Sequence, residues 1–351
     1  MHAIDECLDA LLRNPLQAVA AGGALGYVGL DIPPDLLLAV PRGSCHLPWR
    51  ITRATPRADA WLESSFPPYA RSMLEDWADG RFDCFEQVLF TRGEDVSQRL
   101  YYYVCELQRC GKLDGPRPLI FDIARIDRPA SHRYTEAALR QLAQQLRLTD
   151  ERLNHGITRA NAARAMFRQM RQRRRAPGSV YEQIVRASLF ADIERARDLL
   201  NEHDLPHDRR RIVLGGSSPP DQRIHQLLEA CGACVTGEFY DRNLERLGET
   251  VPEGGIDPVS AIARGWLQHT FLGRDRHAPE QRLLALVRAT QAQAVVLWFA
   301  REDEALAWQV PRLRRGLEAA SIPALILTAR DWDFADGAAQ AMQTFLAGLP
   351  P

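Results

Sequence analysis

The chain has 351 residues and a formal net charge of −1, with 46% apolar and 25% charged residues. This composition is ordinary for a globular protein, so it excludes wholesale disorder and collagen-like repeats. The near-zero charge argues against a nucleic-acid partner, because proteins that follow the phosphate backbone are usually strongly basic.

The amino-terminal segment carries acidic residues, Asp5 and Glu6, where a signal peptide would carry basic residues before an apolar core. No apolar run approaches the ~20 residues of a membrane span. We therefore predict a cytoplasmic protein with no membrane partner. The seven cysteines are odd in number and lack the spacing of a disulfide framework, so we expect mostly reduced thiols.

The first half of the chain alternates apolar runs with helical patterns. The apolar runs predict four short strands, at 27–30, 45–52, 87–90 and 119–123. The remaining segments predict helices at 1–25, from the Pro33-Pro34 pair onward, at 68–78 and at 95–110. Strands separated by helices favour a parallel sheet that is covered on both faces.

Residues 131–205 are predicted to be nearly all helical, and the basic run 168–175 is either a solvated helix end or a phosphate-binding patch. The second half then repeats the alternation. Its apolar runs predict strands at 211–214, 234–239, 294–299 and 324–327. The patterns between them predict one helix at 220–230, two helices over 257–291, and one each at 304–320 and 335–347.

The two halves therefore predict an α/β protein with two Rossmann-like parallel-sheet domains in pseudo-repeat, together with helical N-terminal and inter-domain segments. We predict an N-terminal α/β domain over 1–148 and a helical connection over 149–206. A C-terminal α/β domain follows over 207–351.

The third strand of each half provides the closest internal match, since Val88–Asp95 parallels Val296–Asp303. Both stretches carry an arginine and a Glu-Asp pair past the carboxyl end of a strand, where open α/β sheets bind ligands. The acidic residues are either metal ligands or acid–base groups facing a shared cleft, or they form local ion pairs at helix starts. The candidate catalytic residues are Arg92, Glu94, Asp95, Arg301, Glu302 and Asp303.

Two further motifs have alternative interpretations. Gly215-Gly216-Ser217-Ser218 lies between a strand and a helix, and it either binds a phosphate or carboxylate or is a tight turn that needs glycine. Cys231 and Cys234 form a CxxC that is either half of a zinc site or a pair of buried core thiols. No second CxxC or histidine pair accompanies it, so we predict no metal site.

Several stretches, taken in order, resemble the 2-hydroxyacyl-CoA dehydratase family, which includes the core subunits of benzoyl-CoA reductases. The matching stretches are Gly26-Tyr27, Ile32–Ala39, Tyr69–Ser72, Phe82-Asp83, Asp95 with Arg99–Tyr103, Asn161–Arg164, Ile212–Gly216, Leu227–Ala233 and Ile322–Leu327. They cover almost the whole chain.

The resemblance implies two α/β domains with a cleft between them and an acyl-CoA ligand. It also implies a paralogous partner subunit in a heterodimer, with a homodimer as the alternative, and an ATP-dependent activator protein. Family members eliminate water from 2-hydroxyacyl-CoA or, in the reductases, reduce an aromatic ring. The candidate substrate-binding residues are Tyr69, Arg71, Ser72, Gly215, Gly216, Ser217, Ser218 and Glu238.

Family members hold a [4Fe–4S] cluster on cysteine thiolates, and here this sequence departs from them. The first ligand position is Pro67 or Pro68, the second is Glu94, and the third falls in Ala300–Asp303. None of the seven cysteines lies at these positions. We therefore expect no cofactor in this chain, although the family implies a cluster.

Three functions remain open. The first is a cluster-free subunit that binds acyl-CoA or supports a cluster-bearing partner. The second is an active dehydratase or benzoyl-CoA reductase-like subunit with unusual iron ligation, involving Glu94 or Asp303. The third is a non-catalytic scaffold or binding protein.

Overall fold

A computed structural model describes residues 2–19, 23–124, 126–173, 177–190, 209–273 and 278–349 of the chain. The predicted helical stretch beyond 190, and Arg174 and Arg175 of the basic run, lie outside the described residues. The chain divides into two compact units, which interleave along the sequence. Unit 1 comprises Met1–Arg171, Arg186–Leu199 and Leu244–Arg274, and unit 2 comprises Gln172–Val185, Leu200–Asn243 and Asp275–Pro351. The domain boundaries at 148 and 206 stay predictions.

Each unit contains a four-stranded, all-parallel sheet, which confirms the predicted α/β class with two Rossmann-like sheets. The strands of unit 1 are β1 (Ala24–Val28), β2 (Ser44–His46), β3 (Phe85–Thr91) and β4 (Arg117–Phe121). Their order is β2-β1-β3-β4. The central strand β3 contains the apolar run Val88–Phe90, which is fully buried, as a strand covered on both faces requires.

The helices of unit 1 cover its sheet. They are α1 (His2–Arg13), α2 (Pro34–Ala39), α3 (Pro56–Trp61), α4 (Pro68–Ala78), α5 (Asp95–Arg109), α6 (Pro129–Gln145) and α10 (Pro258–Gly273), together with α7 (Asp150–Arg173) and α8 (Gly178–Phe190), whose residues the two units share. The second strand is shorter than the predicted 45–52, because Pro48 has no N–H with which to extend the ladder. The first strand begins at Ala24, within the stretch predicted as helix.

Unit 2 repeats the sheet order of unit 1. Its strands are β5 (Arg210–Gly216), β6 (Ala233–Phe239), β7 (Ala294–Ala300) and β8 (Ala324–Arg330), arranged as β6-β5-β7-β8. Its other helices are α9 (Arg223–Ala230), α11 (Pro279–Thr290), α12 (Glu304–Ala307), α13 (Val310–Ala319) and α14 (Ala338–Ala347). The single helix predicted over 304–320 is therefore two helices, and Pro311 occupies the first turn of the second one.

A buried ion pair joins two of the family-like stretches within unit 1. Asp35, in the first turn of α2, and Arg164, in α7, are 1% and 2% exposed. The guanidinium binds the carboxylate through two parallel hydrogen bonds of 2.8 and 2.6 Å. Arg164 also donates to the Leu247 carbonyl and to the Asn161 side chain, so its charge is fully engaged by protein groups. These sequence stretches therefore meet through a structural contact.

Candidate functional site

The strand order of each sheet creates one crevice at the carboxyl edge. In a sheet ordered 2-1-3-4, the chain leaves the first strand toward one side and the third strand toward the other. Ligands of such sheets bind at this switch point. In unit 1 the switch point lies between the ends of β1 and β3, and in unit 2 between the ends of β5 and β7.

A glycine with positive φ follows or ends the first strand of each pair. Gly29 has a φ of +89°, and a Cβ there would lie 2.0 Å from the Thr91 hydroxyl oxygen. Gly216 has a φ of +103°, and a Cβ there would lie 2.1 Å from the Trp298 carbonyl oxygen. Only glycine permits this backbone conformation and this close approach to the neighbouring strand.

A serine hydroxyl links the two strands at each switch point. The Ser97 hydroxyl accepts a hydrogen bond from the Thr91 amide and donates to the Val28 carbonyl, both at 3.0 Å. The Ser217 hydroxyl accepts from the Ala300 amide at 2.9 Å. Thr91 and Ala300 are the last residues of β3 and β7, so a serine hydroxyl binds the amide at the equivalent position in both units.

The predicted arginines lie at equivalent positions beyond these strands. Arg92 forms an ion pair of 2.9 Å with Asp122 after β4, and Arg301 forms one of 2.7 Å with Asp331 after β8. Both arginine amides also donate to the end of the neighbouring strand. The backbone thus aligns Arg92 with Arg301 and Glu94 with Asp303. The match made from sequence paired Asp95 with Asp303, so the two alignments differ by one residue. Sequence reasoning missed Asp122 and Asp331, although each directly follows a strand.

The predicted acidic residues have different surroundings. Glu94 accepts a hydrogen bond of 2.5 Å from the Leu30 amide, across the switch point of unit 1. Burial raises the pKa of Asp303, although a hydrogen bond from the Ser217 hydroxyl opposes this shift. Asp95 is exposed and pairs with Arg99 one helical turn away. Glu302 accepts a hydrogen bond of 2.7 Å from the Trp332 indole.

The candidate substrate-binding residues of unit 1 lie on α4. Arg71 donates to Asp59 and to the carbonyls of Glu63 and Phe66, so it holds the preceding loop in place. Ser72 is buried; its hydroxyl donates to the Tyr69 carbonyl and accepts from the Arg50 amide. Tyr69 is half-buried at the start of the helix.

The candidate substrate-binding residues of unit 2 lie around the end of β5. Gly215 and Gly216 end that strand. The Ser217 amide donates to the Trp298 carbonyl, and the Ser218 hydroxyl accepts from the Arg242 amide. Glu238 is half-buried in β6. Helix α9 begins at Arg223, three residues after the predicted start at Pro220, so its amino terminus lies further from the glycines than predicted.

Sequence reasoning also missed a buried polar network in unit 2. Glu182 and Arg242 form an ion pair of 2.9 Å, with side chains 1% and 9% exposed. The Tyr240 hydroxyl lies 3.4 Å from Glu182 and 3.4 Å from the His225 ring. Burial, aided by the positive charge of Arg242, lowers the pKa of His225 to about 3. His225 is therefore neutral in the folded protein.

This network predicts an acid-sensitive stability. The unfolded chain takes up a proton at His225 below pH ~6.5, whereas the folded chain does so only near pH 3. The free energy of unfolding should thus fall as the pH is lowered from about 6.5 to about 3, by about 1.4 kcal/mol per pH unit. Urea denaturation at pH 7 and at pH 4.5 measures this loss of stability. Between the two pH values, His225→Gln should lose about 2–3 kcal/mol less than the native chain.

The control is His132→Gln, which removes an exposed histidine paired with Asp127. It should keep the native pH dependence. An unchanged pH dependence in His225→Gln would contradict the assignment of a neutral buried imidazole.

The side chains at the two switch points carry carboxylates, hydroxyls and guanidinium groups, of which only the oxygens can bind a metal ion. Iron–sulfur clusters need soft thiolate ligands, so this set does not fit a conventional [4Fe–4S] cluster. Among the described cysteines, Cys45 is buried in β2, Cys105 and Cys110 lie on or just after α5, and Cys231 and Cys234 flank the turn before β6. Within the described ranges, no group of three or more His, Cys, Asp or Glu side chains is arranged to hold a metal ion.

These features define the class of protein: a doubly wound α/β chain with a polar switch point in each unit. The sequence model of the family "2-hydroxyglutaryl-CoA dehydratase, D-component" matches residues 30–345, and the chain belongs to this family. It is therefore a dehydratase-type subunit, and the D-component family implies a partner subunit in a complex. Comparison with curated proteins found no match. In the part of the chain that the structure describes, no helix has the length and apolar character needed to cross a bilayer.

Proposed function

We propose that the chain is a cluster-free subunit of a 2-hydroxyacyl-CoA dehydratase-type complex. Such a complex eliminates water from a 2-hydroxyacyl-CoA to give an enoyl-CoA. In this proposal a paralogous, cluster-bearing partner, served by an ATP-dependent activator, performs the electron transfer. This chain binds the acyl-CoA or supports the partner that does.

The hydrogen bond between Glu94 and the Leu30 amide carries the proposal. Glu94 occupies the position where the family resemblance expects the second cluster ligand. Its carboxylate instead bonds at 2.5 Å to the backbone of its own unit, across the switch point. A carboxylate is a poor substitute for a thiolate at an iron–sulfur cluster, and this one already has an internal donor.

The other switch-point residues support binding of an anionic or carbonyl-bearing ligand. Arg92 and Arg301 are exposed at the sheet edges, each paired with one aspartate. A guanidinium has five N–H donors, so each arginine can also bind a phosphate or carboxylate group. Asp303 is the best candidate for proton transfer, because burial raises its pKa toward the range in which a carboxyl group can hold a proton. We assign Arg92 and Arg301 to ligand binding and Asp303 to general acid–base catalysis.

Iron and acid-labile sulfide, measured per chain on protein purified without oxygen, test the proposal. We expect essentially none of either, because the ligand positions hold Pro67 or Pro68, Glu94 and Ala300–Asp303. A family member with all ligand cysteines, prepared in parallel, should give about four of each. About four in this chain would overturn the cluster-free proposal and favour an active subunit with unusual ligation.

The partner role needs a second measurement. The chain, expressed together with a cysteine-bearing paralogue, should co-purify with it and should bind an acyl-CoA more tightly than free coenzyme A. A chain that associates with no paralogue and has no affinity for acyl-CoA would instead be a scaffold or binding protein of another kind.

A further inference from the structure

A cavity of about 330 Å³ lies within unit 1 and adjoins the switch point at Leu30. It opens beside the edge strand β2 and beneath α2, with part of its wall formed by the end of α8. Pockets for small molecules span about 300–1,000 Å³. This cavity is thus large enough for a small organic ligand, but a coenzyme A thioester with its adenine nucleotide is far larger.

Three arginines converge on the cavity from separate parts of the chain. Arg42 precedes β2, Arg159 lies on α7, and Arg246 lies in a short 3-10 turn. Arg159 donates to the Leu38 carbonyl at 3.0 Å, and Arg246 donates to the Ser188 hydroxyl at 2.5 Å. These bonds fix where the two guanidinium groups lie.

The rest of the wall is apolar or neutral. Ile32, Leu37 and Leu38 face the cavity along one side, and Phe190 lies at another. Ser44 and Ser188 supply hydroxyl groups near the arginines. Of the described residues that line the cavity, none is acidic. Guanidinium groups match the geometry of carboxylate and phosphate, and the apolar wall suits a hydrocarbon chain.

We propose that this cavity binds a small amphipathic anion, in which an apolar chain of medium length carries a carboxylate or a phosphate group. The arginines hold the anionic group, and the leucine-rich wall of α2 contacts the chain. Leu30 lines the cavity and also bonds through its amide to Glu94 at the switch point. The proposal does not rest on the proposed function, because Arg42, Arg159 and Arg246 form no part of the switch point.

Isothermal titration calorimetry of the full chain tests it with four probes: octanoate, octyl phosphate, octanol and inorganic phosphate. At least one of the two amphipathic anions should bind saturably, with one site per chain. Octanol and inorganic phosphate should each bind at least about tenfold more weakly, because octanol has no anionic group and inorganic phosphate has no apolar chain. The tighter of the two anions identifies the carboxylate or the phosphate as the preferred group.

Two variants locate the site. Arg42 is exposed, so Arg42→Ala should fold normally and weaken binding of the preferred anion at least about tenfold. Arg133→Ala, which removes an exposed arginine of α6 outside the cavity, makes the same change in net charge and should leave binding unchanged. Leu38→Trp should fill the cavity and abolish binding of the chain-bearing anions.

Three results would overturn the proposal. One is the absence of saturable binding for both anions. Another is octanol binding as tightly as the preferred anion. The third is native affinity in Arg42→Ala, which would show that any anion binds elsewhere.

Discussion

Replacement of Asp35 by alanine is expected to lower the free energy of unfolding by about 3–5 kcal/mol. The side chains of Asp35 and Arg164 are 1% and 2% exposed, and they form two parallel hydrogen bonds. The variant leaves the guanidinium buried without its counter-charge. That loss costs much more than the removal of an exposed ion pair, because a buried charge without its partner is poorly solvated.

Urea denaturation at neutral pH measures this effect. The matched control is Asp95→Ala, which breaks the exposed pair of Asp95 and Arg99 one helical turn apart and should change stability little. A double variant, Asp35→Leu with Arg164→Met, removes both charges and should recover most of the loss. A loss in Asp35→Ala no larger than that in Asp95→Ala would contradict the assignment of a tightly coupled buried pair.

Replacement of Gly216 by alanine is expected to cost about 3 kcal/mol or more, and it can abolish folding of unit 2. The φ of +103° is itself unfavourable for alanine. The new Cβ would also lie 2.1 Å from the Trp298 carbonyl oxygen, which belongs to the central strand β7. Because this oxygen is fixed in the sheet, the strands would have to separate to relieve the overlap.

Gly232→Ala separates the two contributions. Gly232 also has a positive φ, +79°, but no atom lies within 4 Å of the position that its Cβ would take. Its cost should therefore be the conformational one alone, about 1 kcal/mol. Thermal denaturation followed by circular dichroism compares the variants. Equal losses in both would show that the overlap with Trp298 does not matter.

Most strands were predictable because they contain a short apolar run, and burial of a central strand on both faces demands such a run. Val88–Phe90 and Val295–Phe299 stood out for this reason, and with them the α/β class. The end of β2 was not predicted, because Leu47, Pro48 and Trp49 continue the apolar run after His46 although the strand ends there. Apolar character alone does not distinguish a strand from a buried loop.

The candidate site was predictable in part. Arg92 and Arg301 stand beside apolar strands in matching stretches, which placed them at the carboxyl edges of the sheets. Their partners Asp122 and Asp331 lie 30 residues further along, and pairing across that distance depends on the sheet order. The cavity could not be predicted either, because it too depends on the fold. Its arginines come from segments that have no sequence pattern in common.

The two serine bridges also bear on the ancestry of the chain. Ser97 reaches Thr91 from a helix that follows β3, whereas Ser217 reaches Ala300 from the loop that follows β5. The two units thus bind one equivalent amide with hydroxyls from non-equivalent positions. If the halves arose by gene duplication, the bond has persisted while the residue that makes it has moved. A superposition of the strand-end amides would therefore reveal kinship between the halves that a residue-by-residue alignment understates.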